Sequence, residues 1–371
     1  MEASALKILS IDIGAGTEDV LLYDDTKTIE NCVKMVLPSP TLTFAAKIEK
    51  LTDKYLNVLI SGDVIGGSAI TSAIQKHFQR NLKVTMTKRA ALTIRNNLDQ
   101  VRSMGIQIVE DESELSRLNG PVIKLEEINL SEILAFLNGL GAETGEIDVV
   151  AVAVQDHGVP SANQSNRAFR MAKMEELLKR DPRLESLAFT ENEVPDYFLR
   201  MRSAVEACKR QMPNSRVIIM DTSPCAALGC LEDPEVKKKD RILIVNIGNG
   251  HTIAAIICGG RIAGLMEHHT DMMRDNPKKL EDLLTRFANG KIKGKDVFED
   301  GGHGAFYLPD SLKKEQKLSL EDIEIITVTG PNRSLAADFH LPVHFASPAG
   351  DVMMTGTLGL VRAALRKQRE Y

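Results

Sequence analysis

The sequence predicts an α/β protein of two related lobes that face one ligand, and three observations carry this. DIGAGTEDVLLYD, Asp12 to Asp24, joins one apolar strand to the next through a turn with two glycines. ILIVNIGNGHTIAAII, Ile242 to Ile257, repeats the design. RVIIMDT then runs straight into a helix of small residues, SPCAALGCL, and a second such helix, GDVMMTGTLGLVRAALRKQ, lies at Gly350 to Gln368.

The residues after the first turn decide its kind. A dinucleotide fingerprint needs a third glycine and a helix whose N-terminus faces the pyrophosphate. Here Asp19 holds that position, and Val20-Leu21-Leu22-Tyr23 favours a strand. A Walker A loop needs Gly-x4-Gly-Lys-Ser/Thr, and no stretch of the chain fits it. The remaining candidate is a hairpin whose tip can aim backbone N–H groups at an anion. An ordinary hairpin fits one such segment equally well. The second copy tips the balance: with Asp12 laid on Asn246, Gly14 falls on Gly248 and Gly16 on Gly250, with the threonine one place later. Two such hairpins in register would sandwich the phosphates of one nucleotide.

The bulk numbers are those of a soluble globular chain, with 371 residues, 43% apolar and 26% charged. That is enough for two or more domains. A net charge of −5 and a pI near 6.0, with no basic block carrying aromatics, argue against nucleic acid as a partner. The lack of Trp removes the best base-stacking side chain as well. No apolar run approaches the roughly 18–20 residues of a membrane span. The opening MEASALKILSIDIG is acidic and leads into a strand, unlike a signal peptide. Cys32, Cys208, Cys225, Cys230 and Cys258 are odd in number and have no framework spacing, which fits a reduced, cytoplasmic setting.

The order of the parts resembles the actin, heat-shock chaperone and sugar kinase ATPase superfamily. Its members show a phosphate loop, a connecting helix, a second phosphate loop, an adenosine loop and a second connecting helix. Here these would be Asp12–Thr17, Pro224–Leu231, Asn246–Thr252, Thr329–Arg333 and Gly350–Ala364. SPCAALG is similar to the Pro-x-Ala-Ala-Ala hinge of the chaperone ATPases. The resemblance spans nearly the whole chain. It implies an actin-like ATPase fold, two ribonuclease-H-like lobes (β-β-β-α-β-α-β) facing a central nucleotide cleft. More narrowly, the chain resembles a prokaryotic family labelled as a pyruvate formate-lyase activating enzyme. Such activators hold an iron–sulfur cluster on Cys-x3-Cys-x2-Cys. The closest pair here, Cys225 and Cys230, has four residues between, and the motif is missing.

On this frame residues 1–40 and 146–232 make the first lobe, 41–145 an inserted α/β subdomain, 233–348 the second lobe and 349–371 the closing helix. The second lobe should run Arg241–Ile247, His251–Cys258, Arg261–His268, a helix near Lys278–Ala288, Ile323–Thr329 and a short strand near Val343. The first should run Leu6–Ile13, Glu18–Tyr23, Asn31–Leu37, a strand in DVVAVAVQDHG, a helix at Asn166–Arg180 and the strand Arg216–Asp221. The insertion should hold an amphipathic helix, the strand NVLISG, the helix GGSAITSAIQKHF and the strand KVTMT. Counting those elements as the core instead, and displacing the later ones, is the alternative parse.

Strand direction then selects site residues, because the strands parallel to the first in each lobe end at the same edge. The phosphate loops supply Gly14, Ala15, Gly16, Thr17, Gly248, Asn249, Gly250 and Thr252, and the adenosine loop Gly330, Pro331 and Asn332. Asp12 stands where the superfamily holds Mg²⁺, often through water, and Asn246 stands where a second aspartate is common. QDHG, Gln155 to Gly158, is similar to the Gly-Gln-x-His-Gly of some sugar kinases. Asp156 or His157 could therefore orient an acceptor hydroxyl, as phosphoryl transfer requires; Asp156 could equally cap the next loop. That loop, VPSANQSNR, suits a polar ligand. His268, His269 and His303 could converge with His157 on a transition metal, since imidazole suits zinc, iron and nickel. Cys225 in the hinge suits small-residue packing better than a nucleophile.

The expected function is an ATP-dependent phosphotransferase or ATPase using ATP and Mg²⁺ on a small acceptor. The alternatives are a nucleotide-gated switch acting on a protein client, an iron–sulfur ATPase that activates a partner enzyme, and a pseudoenzyme. Nucleic acid and membrane are not expected as partners. The oligomeric state is open, a homodimer included.

Overall fold

The computed structural model describes residues 5–142, 144–161, 164–312 and 317–369, and the two glycine turns are the tips of two sheets. Strands β1 (Lys7–Ile13), β2 (Thr17–Asp24) and β3 (Val33–Pro38) form an antiparallel meander. The chain then leaves for a parallel sheet of its own, β4 (Val58–Gly62), β5 (Val84–Thr87), β6 (Gln107–Val109) and β7 (Val122–Leu125), in the order β6-β5-β4-β7. It returns as β8 (Val149–Val154), β9 (Phe189–Thr190) and β10 (Arg216–Met220), which complete the first sheet as β3-β2-β1-β8-β10-β9. The remaining strands are β11 (Arg241–Ile247), β12 (His251–Cys258), β13 (Arg261–His269), β14 (Gly304–Tyr307), β15 (Ile325–Thr329) and β16 (Val343–Phe345). They order as β14-β13-β12-β11-β15-β16.

With β1, β8 and β10 parallel in one sheet and β11, β15 and β16 parallel in the other, each lobe has the 3-2-1-4-5 order of a ribonuclease-H-like unit. This is the actin-like ATPase fold. Each sheet carries one extra short strand, and the two lie at opposite edges: β9 beside β10, β14 beside β13. Neither was expected. EDGGHGA, Glu299 to Ala305, is rich in glycine, and Gly304–Tyr307 nevertheless extends the ladder of β13.

Alternation along the strands sets what faces what, because successive side chains point to opposite faces. In β1, Leu9, Ile11 and Ile13 pack outward under the helices of the first lobe. Ile8, by contrast, joins the cluster around the central helices, and Ser10 donates to Thr357 O at 2.8 Å. Asp12 is next in that phase. β11 repeats it: Leu243, Val245 and Ile247 face outward, and Ile242 and Ile244 face the centre. Asn246 falls on the inner face.

The centre is a crossing of two helices, Thr222–Cys230 and Thr355–Arg369. A Cβ on Gly229 would come 1.7 Å from Thr355 O, and one on Gly359 would come 2.0 Å from Cys225 O. The backbones therefore touch, and only hydrogen fits there. This is why both helices are made of small residues.

Candidate functional site

A cleft of about 950 Å³ lies between the lobes, and both hairpins line it. Their turns close alike, with Gly14 N donating to Thr17 O at 2.9 Å and Gly248 N to His251 O at 2.9 Å. The tips meet: a Cβ on Gly16 would lie 2.4 Å from Asn249 Nδ2. Gly14, Ala15, Thr17, Gly248, Asn249 and Gly250 line the cleft, as do Gly330 and Pro331. Asn332 stands behind them, its Nδ2 donating to Gly248 O at 2.9 Å. Thr252 is placed elsewhere. Its hydroxyl is buried 3.0 Å from that of Thr270, because the strand starts at His251 and alternation turns the next side chain away. His251, not Thr252, is the register equivalent of Thr17.

Behind the first hairpin sits a group of carboxylates. Asp12 and Asp19 are directly paired across β1 and β2, and both line the cleft. Oδ1 of each, and Oε1 of the neighbouring Glu18, are buried without a hydrogen-bond partner. Burial, then Asp19 and Asp221, holds the Asp12 carboxyl well above its usual range. Burial likewise pushes Asp19 up to about 7. Like charges this close call for a cation or shared protons. Composition did not mark Asp19 as a site residue, although the hairpin register alone would have found it. The second hairpin offers Asn246, whose Oδ1 packs 2.5 Å from where a Gly330 Cβ would lie.

An ion-pair network ties the lobes together. Arg170, on the helix Asn166–Arg180, is 1% exposed. It bonds Asp221 on the first lobe through two nitrogens, Nη2 at 2.8 Å, and Glu267 on the second through Nε at 2.8 Å. The same helix reaches across with Arg167, whose guanidinium donates to Gly301 O and Gly302 O and stacks on Phe298.

Asp156 is a cap. Its Oδ1 accepts from Gly158 N at 2.8 Å, and its Oδ2 accepts from Arg200 N at 2.8 Å and Met201 N at 3.1 Å. The carboxylate thus closes the start of the helix Leu199–Gln211 with both oxygens engaged, at a residue that also lines the cleft. His157 lines the cleft. Burial, then Arg170 and His303, keeps its imidazole neutral, well below the usual range. In the loop after it, Ala162 and Asn163 lie outside the described residues.

His157 joins a wall of imidazoles. His251 has ring centroids 5.7 Å from His157, 4.7 Å from His303 and 4.7 Å from His269. His303 lies 5.2 Å from His157 and 4.9 Å from His269. Burial pushes His251 down to about 3. His268, expected among these, faces the other way and meets Asp300 Oδ2 at 3.1 Å. In β13 it pairs with Thr252, while His269 pairs with His251, so strand alternation separates the two neighbours. His251 is the member that residue spacing did not single out.

The cysteines do not assemble. Cys208, Cys225 and Cys230 are fully buried and Cys32 nearly so, and the Cys225 thiol is spent on Gly356 O at 2.9 Å. Among the described residues the single group of three or more potential metal donors is His157, His251 and His303.

The family model described as "Putative pyruvate format-lyase activating enzyme (DUF1786)" matches residues 65–335. No curated protein matches the sequence. Two of the solved structures that are similar over nearly the full length serve as examples. One is the inorganic polyphosphate/ATP-glucomannokinase of Arthrobacter sp. strain KM, at 13% identity, covering 99% of this chain and 100% of that one, with a TM-score of 0.37. The other is MreB5 of Spiroplasma citri bound to ADP, at 14% identity, covering 98% of each chain, with a TM-score of 0.34. The fold rests on the strand order, not on these likenesses.

Proposed function

The chain belongs to the family of that model, and from its cleft we propose that it is a phosphotransferase or ATPase that works on Mg-ATP. The observation that carries this is the pair of hairpins in register, tips touching, with unpartnered carboxylates behind one of them. Backbone amides of Ala15–Thr17 and Asn249–His251 would hold the phosphates, and Gly330–Asn332 would back the adenosine. Asp12 and Asp19 suit Mg²⁺, which takes one or two carboxylates and keeps its waters. When bound, the ion neutralises charge on the phosphates.

The remaining groups position. Asp156 holds the loop that presents His157. The neutral imidazoles at the cleft wall form the acceptor side, able to orient a small hydroxylated acceptor or water and take its proton. Transfer then rests on placement and charge stabilisation. The radical activity in the family's label has no cysteine set here to carry it. Four of the five thiols are buried, so a cluster shared between subunits lacks ligands as well.

Gly250 supplies the test. Nothing lies within 4 Å of the position of its Cβ, and its φ is not left-handed, so Gly250→Val should fill the cleft without disturbing the fold. Calorimetry should show Mg-ATP bound by the intact protein and binding lost in the variant at an unchanged melting temperature. Absence of binding by the intact protein, across nucleotides and metals, would remove the proposal.

A further inference from the structure

The imidazole wall is more ordered than an acceptor site alone requires. One ring nitrogen each from His157, His251 and His303 lie within 4.8 Å of one another. Two donors on a tetrahedral zinc-type ion, each about 2.0–2.1 Å from it, stand about 3.4 Å apart. Binding would draw the nitrogens together by up to about 1.4 Å. His303 is 1% exposed, and neither its Nε2 nor that of His251 has a hydrogen-bond partner. A buried polar nitrogen left so costs about 1–3 kcal/mol. The ring contacts among the four imidazoles, two of them T-shaped, leave those nitrogens unpaired.

The surroundings are those of a metal ligand set. His303 Nδ1 sits 3.1 Å from Glu267 Oε2, which leaves Nε2 to ligate in the carboxylate–histidine–metal pattern. His251 Nδ1 is 3.0 Å from the side-chain amide of Gln155. Turning that amide oxygen-first lets Nδ1–H donate to it and frees Nε2, at the loss of the 3.4 Å contact from Gln155 Nε2 to Glu267 Oε1. Within the buried ion-pair group Asp221 and Glu267 outweigh Arg170 by one charge, and Arg167 is bonded to the backbone beside His303.

We propose that His157, His251 and His303 bind one first-row transition-metal dication per chain at the wall of the cleft. Three imidazoles suit zinc, iron, copper or nickel, and three protein ligands leave a coordination position open. His157, His251 and His269 line the cleft and His303 does not, so the open side faces the acceptor. There the ion would take an oxygen of a small hydroxylated or carboxylated molecule, or water, and His269 would remain as the free imidazole. The first lobe supplies His157 and the second the other two, so the ion would also fasten the lobes together. The site is independent of the nucleotide reading; only the identity of the acceptor rests on it.

The test uses the untagged full chain without nucleotide. Metal analysis after purification should find close to one equivalent of a transition metal. Titrating the chelator-stripped protein with Co²⁺ should give a visible d–d band that saturates at one equivalent and raises the melting temperature. His157→Asn and His303→Ala should each abolish the band. His340→Ala, at an 85% exposed ring, should keep it. A folded intact protein that retains no metal and shows no band overturns the site, whatever the variants do. So does a band that survives in both ligand variants, which would mark adventitious metal. Neither result bears on Mg-ATP binding, which is read separately.

Discussion

The two hairpins share a backbone and differ in chemistry. Between Asp12 and Asp19 the first carries two carboxylates that line the cleft, with Glu18 on the opposite strand face; the equivalent stretch, Asn246 to Ile253, carries no acid and places His251 where the first has Thr17. The partner strand in the second lobe adds His269, and the adjoining edge strand brings in His303. One lobe thus offers hard oxygen donors suited to Mg²⁺, and the other offers nitrogen donors suited to softer ions. A repeated fold has been kept as a frame, while the strand faces that open on the cleft have diverged. Arg170, bonded to a carboxylate from each side, holds the two chemistries at a fixed spacing.

That tie should have the largest measurable effect. Arg170→Met leaves Asp221 and Glu267 buried without their cation, and breaking a buried pair by removing one partner costs about 3–5 kcal/mol. Urea unfolding should show a loss of that size. A loss under about 1 kcal/mol would mean that the lobes are fastened elsewhere and that the two sites are not held in register by this network.

The asymmetry between hairpins should show next, in binding. Asp12→Asn should weaken Mg-ATP by about 100-fold, equivalent to about 2.7 kcal/mol, with little effect on ATP measured in a chelator. Asn246→Asp makes the second hairpin more like the first and should steepen the Mg²⁺ dependence, with a gain of no more than about 10-fold at saturating ion. Calorimetry at several Mg²⁺ concentrations separates the two. Equal and opposite effects would mean that the hairpins share the ion evenly, which would break the comparison.

The frame of the molecule was legible from the chain, and the reason is local. β11 and β12 are apolar runs bounded by Gly248 and Gly250, and the structure places them at the limits read from sequence, Arg241–Ile247 and His251–Cys258. The helix Asn166–Arg180 also has its expected limits. The misses are non-local. β9 and β14 are strands only because a neighbour's edge is there to pair with, and the helix Leu199–Gln211 begins on a carboxylate more than forty residues earlier. In the site, glycine turns announce themselves by composition, so the loops were found. Asp19 and His251 were not, because their roles depend on which strand face they occupy. Laying the second hairpin on the first does put His251 on Thr17, but only the period of two along β13 gives that position a meaning, by separating His269 from His268.

The smallest effect lies at the far end of the same hairpin, where Asp24 in the first lobe matches Cys258 in the second. The Thr26 hydroxyl at 2.6 Å, the Thr26 N–H and Lys27 hold the Asp24 carboxyl at about 2. A depressed carboxyl stabilises the fold above its unfolded value near 4, and that contribution is lost as pH falls through about 2. With solvent screening at the strand end it should amount to about 1 kcal/mol. Asp24→Asn should therefore be less stable than the parent by about that much at pH 6, and the gap should close as pH falls toward 2. Denaturant curves at pH 6, 4 and 2.5 read it directly. Cys258 carries no such carboxylate, so Cys258→Ser should differ from the parent by the same amount across that range. A gap for Asp24→Asn that ignores pH would place its role in packing, and the two hairpins would then close alike at this end despite their different residues.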